Sequence, residues 1–178
     1  MFLKKILGIF CLLTFLFLPL NCSAAKPSVA VIPFSDQSPR HGIVNDNIMS
    51  IIRECVETDV VQTGKFRPLT RTEIQKLIDE IKFDQSGLVD PSTAAKYGKM
   101  IGAQYLIIGT VTGLGMQKVN QYVAHLSLRM IEVETAEIIF AGRGTGQSKI
   151  STFDALQIAT EDALHGQRGI ITMLNGGK

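Results

Sequence analysis

Three cysteines and three histidines are all that the chain holds of its most versatile metal- and redox-active side chains. Cys11 lies in an apolar N-terminal run, Cys22 just beyond it, and Cys55 in a stretch of helical periodicity. An intrachain disulfide therefore needs Cys22 to be retained, and Cys55, expected on an apolar helix face, reads as packing. His41, His125 and His165 fall in a predicted loop, strand and helix, with no cysteine or carboxylate at ligand spacing, so no metal is expected. Excess charge is missing too. The formal +2 resides in Lys4 and Lys5, and the remainder carries 16 basic and 16 acidic residues. Phosphate-backbone binding demands a basic footprint, so nucleic acid is excluded as a partner. No apolar run reaches the ~20 residues of a membrane-spanning helix, and neither internal repeat nor low-complexity tract occurs.

What the N-terminus does have is an ordered series. Lys4 and Lys5 precede the uncharged run Ile6 to Leu20, followed by Cys22-Ser23-Ala24-Ala25. A positive segment, an apolar segment and small residues in that order read as an export signal over residues 1–24, leaving a single domain over 25–178. Cys22 has two readings. As a lipid acceptor it follows Pro19-Leu20-Asn21, a poor match to the usual Leu-small-small-Cys pattern; as part of a cleavage site, Cys22-Ser23-Ala24 or Ser23-Ala24-Ala25 fits better.

The clearest local unit is Asp90 to Gly113. Asp90 can cap a helix whose first turn accepts Pro91, and Gly102 supplies the left-handed exit. Tyr105 to Val111 is then a short apolar, β-branched run bounded by glycines, a strand buried on both faces. Upstream, Ser28 to Phe34 is a first strand, which Pro33, lacking a donor, should end or bring to an edge. Val44, Ile48, Ile51, Ile52 and Cys55 mark one face of a helix stopped by Gly64. Phe66 to Leu69 is a second strand, and Thr70 and Glu73 form a capping box before a helix through Ile74, Leu77, Ile78 and Ile81.

Downstream, Asn120 to Val133 alternates as an antiparallel strand, Glu134-Thr135-Ala136 turns, and Glu137 to Gly142 returns. Gly142, Gly144 and Gly146 are expected to loosen that strand's end. Ser151 opens a last helix, weakened by Gly166 and Gly169 before Ile170 to Leu174. The fold class is α/β (α+β): a single mixed β-sheet of about five strands flanked by about four helices, in the order β-α-β-α-α-β-β-β-α.

Chemistry is sparse. The alternating glycines with Ser148-Lys149 suggest a phosphate loop, but that loop needs four residues between its glycines and lysine directly before the hydroxyl residue. Asp79-Glu80 and Glu161-Asp162 read as solvated helix faces. Ser35-Asp36 is the one polar turn at a strand's carboxyl end, where open α/β sheets bind ligands, and it marks the candidate ligand or partner loop. No nucleophile–base pair accompanies it. The chain is expected to be a binding or assembly module with no cofactor, not an enzyme.

Val29-Ala-Val-Ile-Pro-Phe34, Thr63-Gly-Lys-Phe66 with Thr70-Arg71, Lys99 to Thr112 and Leu126 to Ile138 together resemble the curli production assembly/transport family, CsgG-like proteins. The resemblance implies a periplasm-facing α/β domain that associates into rings at the outer membrane and exports amyloid subunits. Channel-forming members carry long insertions that become transmembrane hairpins. Here the corresponding stretches, Gly113 to Val119 and Gly146 to Ile150, are too short for two membrane-crossing strands of ~9–11 residues each. The family's constriction loop would fall at Ser35 to Gly42, which lacks the family's aromatic and asparagine pattern. The expectation is an exported periplasmic protein, with or without an outer-membrane tether. It would act on envelope proteins or on copies of itself, as an accessory of curli-type export or surface assembly, without a pore. Two alternatives stay open: a lipoprotein-type activator of a peptidoglycan synthase, and a small-ligand or nucleotide-binding domain.

Overall fold

The computed structural model describes residues 25–39, 46–70, 72–75 and 90–176. Strands β1 (Ser28–Val31), β2 (Ser35–Asp36), β3 (Arg67–Pro68), β4 (Tyr105–Lys118), β5 (Gln121–Glu132) and β6 (Ile138–Ser148) form one mixed sheet ordered β3-β1-β4-β5-β6. β2 pairs with β4 off that path. Helices α1 (Asp46–Gln62), α2 (Pro91–Met100), α3 (Thr152–His165) and α4 (Ile170–Leu174) accompany it. Residues 72–75 are also helical; the expected continuation through Leu77, Ile78 and Ile81 lies outside the described residues.

Local signals act as expected around β4. Asp90 caps α2 by accepting the Thr93 amide at 3.0 Å, Pro91 occupies the first turn, and Gly102 leaves through φ +70. β4 then enters between β1 and β5, parallel to one and antiparallel to the other. Its Leu106 and Ile107 are fully buried on opposite faces, as a central strand requires. The capping box also forms: Glu73 accepts the Thr70 amide at 2.6 Å while the Thr70 hydroxyl faces the Glu73 amide at 3.4 Å. Pro33 interrupts β1, and the chain rejoins the sheet as β2, pairing Ser35 with Thr110 and Asp36 with Val111.

Four expectations are corrected. Gly113 to Val119 is not a connector: β4 runs on to Lys118 through irregularities at Val111/Gly113 and Met116/Lys118. Bulges absorb the extra residues without ending the ladder. The turn into β5 is Val119-Asn120, with Asn120 at φ +58.

On α1 the buried face is Ile52, Arg53, Val56 and Val60, whereas Ile51 is 45% exposed and Cys55 is exposed. Adjacent Ile51 and Ile52 allow two helical phases, and Val56 and Val60 select the one that turns Cys55 out.

The third correction concerns the glycines. β6 continues unbroken through Gly142, Gly144 and Gly146 to Ser148, and all three face α3. A Cβ on Gly144 would overlap the Ala159 carbonyl oxygen and lie 2.6 Å from the Ala163 amide nitrogen. On Gly146 it would overlap the Ala155 carbonyl and lie 2.6 Å from the Ala159 nitrogen. The periods match: two strand residues advance ~6.7 Å and four helical residues ~6 Å. Successive glycines therefore meet successive alanines in reverse order, and α3 rests on bare β6 backbone.

The core lies on both sides of the sheet. Val29, Val31, Ile107, Val111, Leu126, Leu128 and Met130 pack with α1, α3 and α4 through Ile52, Val56, Leu156, Ala159, Leu164 and Ile170. Ala30, Ile32, Leu106, Ile108, Ile131 and Val133 pack on the other side with Ile74 and Ala94. Gly166 to Gly169 separates α4 from α3, where a single weakened helix was expected.

Candidate functional site

Ser35 and Asp36 sit where β2 joins β4. The Ser35 hydroxyl donates to Thr110 Oγ1 at 3.3 Å, one hydroxyl to another with no base between them. Asp36 folds back on its own turn, one carboxylate oxygen accepting the Ser38 amide at 2.9 Å, while Gln37 donates its amide to the Val111 carbonyl. Asp36 Oδ2 and the Ser38 hydroxyl are buried with no hydrogen-bond partner. Burying such groups is costly, and each is available to a further donor or acceptor. Beyond the turn, Pro39, Gly113, Leu114, Met116 and His125 line a shallow surface depression of about 280 Å³.

The histidines are not brought together. His125 is exposed on β5, with Nδ1 3.2 Å from Thr145 Oγ1 and its ring over Gly113. His165 ends α3, where Nε2 is 3.1 Å from Asp59 Oδ2 on α1. His41 and Cys22 lie outside the described residues. Among the described residues, no group of three His, Cys, Asp or Glu side chains could hold a metal ion. Partial burial, and after it the carboxylates of Asp59, Glu54 and Glu161, push the Cys55 thiol above its ordinary pKa. That disfavours the thiolate a nucleophile or ligand would need. The glycine run forms no phosphate cradle, since helix backbone fills it; the Ser148 hydroxyl accepts the Ile150 amide at 2.8 Å and Lys149 is exposed.

The larger feature is a surface. β6 is the long outer strand of the sheet, and β3 at the opposite border has only two residues. Helix α3 reaches over the β6 border: Asp162 Oδ2 accepts the Thr145 amide at 3.0 Å, covering one edge donor. Beside it α3 presents Gln157, Ile158, Glu161, Asp162 and His165 along an open groove, with Ile158 43% exposed. An outer strand flanked by an amphipathic groove offers both backbone pairing and side-chain contact to a neighbour.

The family called curli production assembly/transport component CsgG matches over residues 19–121, more than half the chain and inclusive of α1, α2 and β1 to β4. The chain belongs to the CsgG family. The match ends at the start of β5, so the resemblance seen over Leu126 to Ile138 lies outside it.

Relatives agree on the fold. Protein NMB1126/NMB1164 of Neisseria meningitidis serogroup B, whose name calls it a candidate lipoprotein, is 25% identical over 145 residues, 74% of this chain and 58% of that protein. The chain thus spans less than two thirds of this curated relative. Among solved structures, the LpoB C-terminal domain from Escherichia coli is 20% identical with a TM-score of 0.50, over 75% of this chain and 91% of that one. Lipoprotein GNA1162 from Neisseria meningitidis is 12% identical with a TM-score of 0.52, over 68% and 83%. The dodecamer of a leucine-to-methionine variant of PelC from Paraburkholderia phytofirmans is 13% identical with a TM-score of 0.50, over 78% and 87%. At these identities the likeness is one of fold. Among the described residues no helix is long and apolar enough to cross a membrane.

Proposed function

We propose that this CsgG-family chain is an exported envelope protein that works through protein–protein association, as a component or accessory of curli-type export or surface assembly at the outer membrane. Residues 1–24 direct export, and residues 25–178 form the periplasmic domain. The family match carries the reading. Two features support it: the long outer strand β6 and the α3 groove beside it. The domain makes no pore. Among the described residues, the connections from β4 to β5 and from β6 to α3 are the Val119-Asn120 turn and residues 149–151, against the ~9–11 residues of a single membrane-crossing strand.

Sedimentation velocity of the exported protein, alone and with an envelope extract, tests this. The expected result is a closed self-assembly or a discrete complex. A monomer that forms neither at micromolar concentration refutes association, and steady ion conductance in lipid bilayers refutes the absence of a pore.

A second reading is a lipoprotein-type activator of a peptidoglycan synthase, held to the membrane through Cys22. It is favoured by the lipoprotein named GNA1162 and by the LpoB domain among proteins of this fold. The intact mass of the exported protein separates the readings. An acylated Cys22 supports the tether, and cleavage beyond Cys22 removes it. Ser35 and Asp36 are the place for a small ligand or partner contact, favoured by the unpartnered Asp36 Oδ2 and Ser38 Oγ. A thermal shift with a nucleotide panel, lost in Asp36→Asn, tests the small-ligand alternative.

A further inference from the structure

Where β4 turns into β5 and β6 passes to α3, the sheet ends in a tip of unusual composition. Val119 is 88% exposed and Ile150 is 78% exposed, more than any other large hydrophobic residue described, and Met116 nearby is 51% exposed. Lys118 precedes the first and Lys149 the second, and the two turns line one cleft together with Asn120, Gln121 and Gln147. From Val111 to Ile131 and from Ile138 to Phe153 there is no aspartate or glutamate, while Lys118, Arg129, Arg143 and Lys149 all fall in these segments. The nearest following carboxylate, Asp154, is in the first turn of α3, where it complements the helix terminus.

Single exposed apolar residues need no explanation. Here two sit on turns held in place. Asn120 is fixed in the left-handed region at φ +58, and the Ile150 amide is tied to the Ser148 hydroxyl. A β-branched side chain contributes nothing to such turns and stands in water.

The pattern is also wrong for a protein partner. Interfaces deplete lysine, and their anchors are tryptophan, tyrosine and arginine set in pockets. Two apolar prongs, each preceded by a lysine and with no carboxylate on either turn, are the chemistry of an anionic lipid interface. We propose that this tip is a membrane-contact site docking onto an anionic phospholipid surface. Val119 and Ile150 enter the headgroup region, and Lys118 and Lys149 lie against the phosphates. It stands independently of the association reading and uses none of the residues of the β6–α3 groove.

The test is flotation of the exported protein, carrying Cys55→Ser, with vesicles of phosphatidylglycerol and phosphatidylethanolamine and with pure phosphatidylcholine. An environment-sensitive label is placed at Gln117→Cys near the tip, or at Glu134→Cys in the far turn as a control. Binding is expected to favour the anionic vesicles and to weaken in half-molar salt. Only the label at 117 shifts to the blue. Lys118→Ala with Lys149→Ala lowers the partition about thirty-fold, the equivalent of ~1 kcal/mol per lysine. Val119→Asp with Ile150→Asp lowers it by at least about ten-fold. All four positions are solvent-facing, and unchanged circular dichroism verifies that the variants fold. Equal binding to both vesicle types, equal response of the two labels, or tip variants that bind like the parent would overturn the proposal. So would tip variants that lose an envelope protein while no form binds vesicles, which assigns the tip to a protein partner.

Discussion

Gly144→Ala adds a single methyl group at the point where helix meets strand. That methyl would occupy the space of the Ala159 carbonyl oxygen and sit 2.6 Å from the Ala163 nitrogen. Ordinary contact begins at ~3.4 Å, so the overlap with the Ala159 oxygen requires α3 to lift by well over ~1 Å. Leu156, Ala159, Ala163 and Leu164 are at most 1% exposed and move with it. A gap of 0.5–1 Å forfeits about a quarter to a half of each dispersion contact. Lost dispersion of about 1 kcal/mol, added to overpacking at the ~3 kcal/mol end of its range and offset by ~0.4–1 kcal/mol of lost unfolded-state freedom, gives a net cost of about 3 kcal/mol.

At ~2–4 °C per kcal/mol for a chain of this size, the melting temperature falls by roughly 6–12 °C. Urea titration gives the free energy directly, provided the slope is unchanged. Arg143→Ala, one residue away on the opposite face, is expected to stay within about 0.5 kcal/mol. Ala159→Gly does not rescue, because the clash is with backbone. A Gly144→Ala midpoint equal to or above the parent's refutes the account of β6 as a surface built to receive α3.

Further outcomes follow from the same geometry. Gly109→Ala places its methyl 2.5 Å from three ring carbons of Phe34, which is 3% exposed. It is expected to cost ~1–3 kcal/mol in urea unfolding, partly recovered by Phe34→Leu. Ser151 caps α3 by accepting the Asp154 amide at 3.1 Å, and Ser151→Ala is expected to cost about 1 kcal/mol by the same assay. Because Cys55's folded pKa is raised, less thiolate is present at pH 8 than for a free cysteine. Its alkylation, followed peptide by peptide by mass spectrometry, should therefore be slower than in urea. It accelerates with rising pH and with Asp59→Asn, and a rate equal to that of the unfolded chain contradicts the assignment.

Where a signal is local, the sequence was sufficient. Asp90, Pro91 and Gly102 each act within a turn of their own position, and Leu106 to Ile108 are apolar whichever neighbour they meet. Both were legible, as were the mixed sheet and the order of its elements. The glycines of β6 were not. Their reason is an alanine row on α3, and a flexible strand end uses the same residues. Gly113 to Val119 read as a connector because a bulged strand and a loop share composition. Cys55 was misplaced because Ile51 and Ile52 fit two helical phases, and packing decides between them. Ser35 and Asp36 were read as a polar turn, whereas they pair with β4 as strand β2, and the buried, unpartnered Asp36 Oδ2 depends on that register, which composition alone does not specify. The exposed tip went unnoticed because exposure belongs to the fold, not to Val119 or Ile150 as residue types.

Association at the outer strand is the central claim, and photo-cross-linking in exporting cells addresses it most directly. A photoreactive residue replaces Arg143 or Gln147 on β6, or Lys96 on α2 as a control, and adducts are identified by mass spectrometry. The account predicts a discrete adduct from β6, with a second copy of the chain or one envelope protein, and none from position 96. Absence of any β6 adduct, or the same adducts from all three positions, would contradict it.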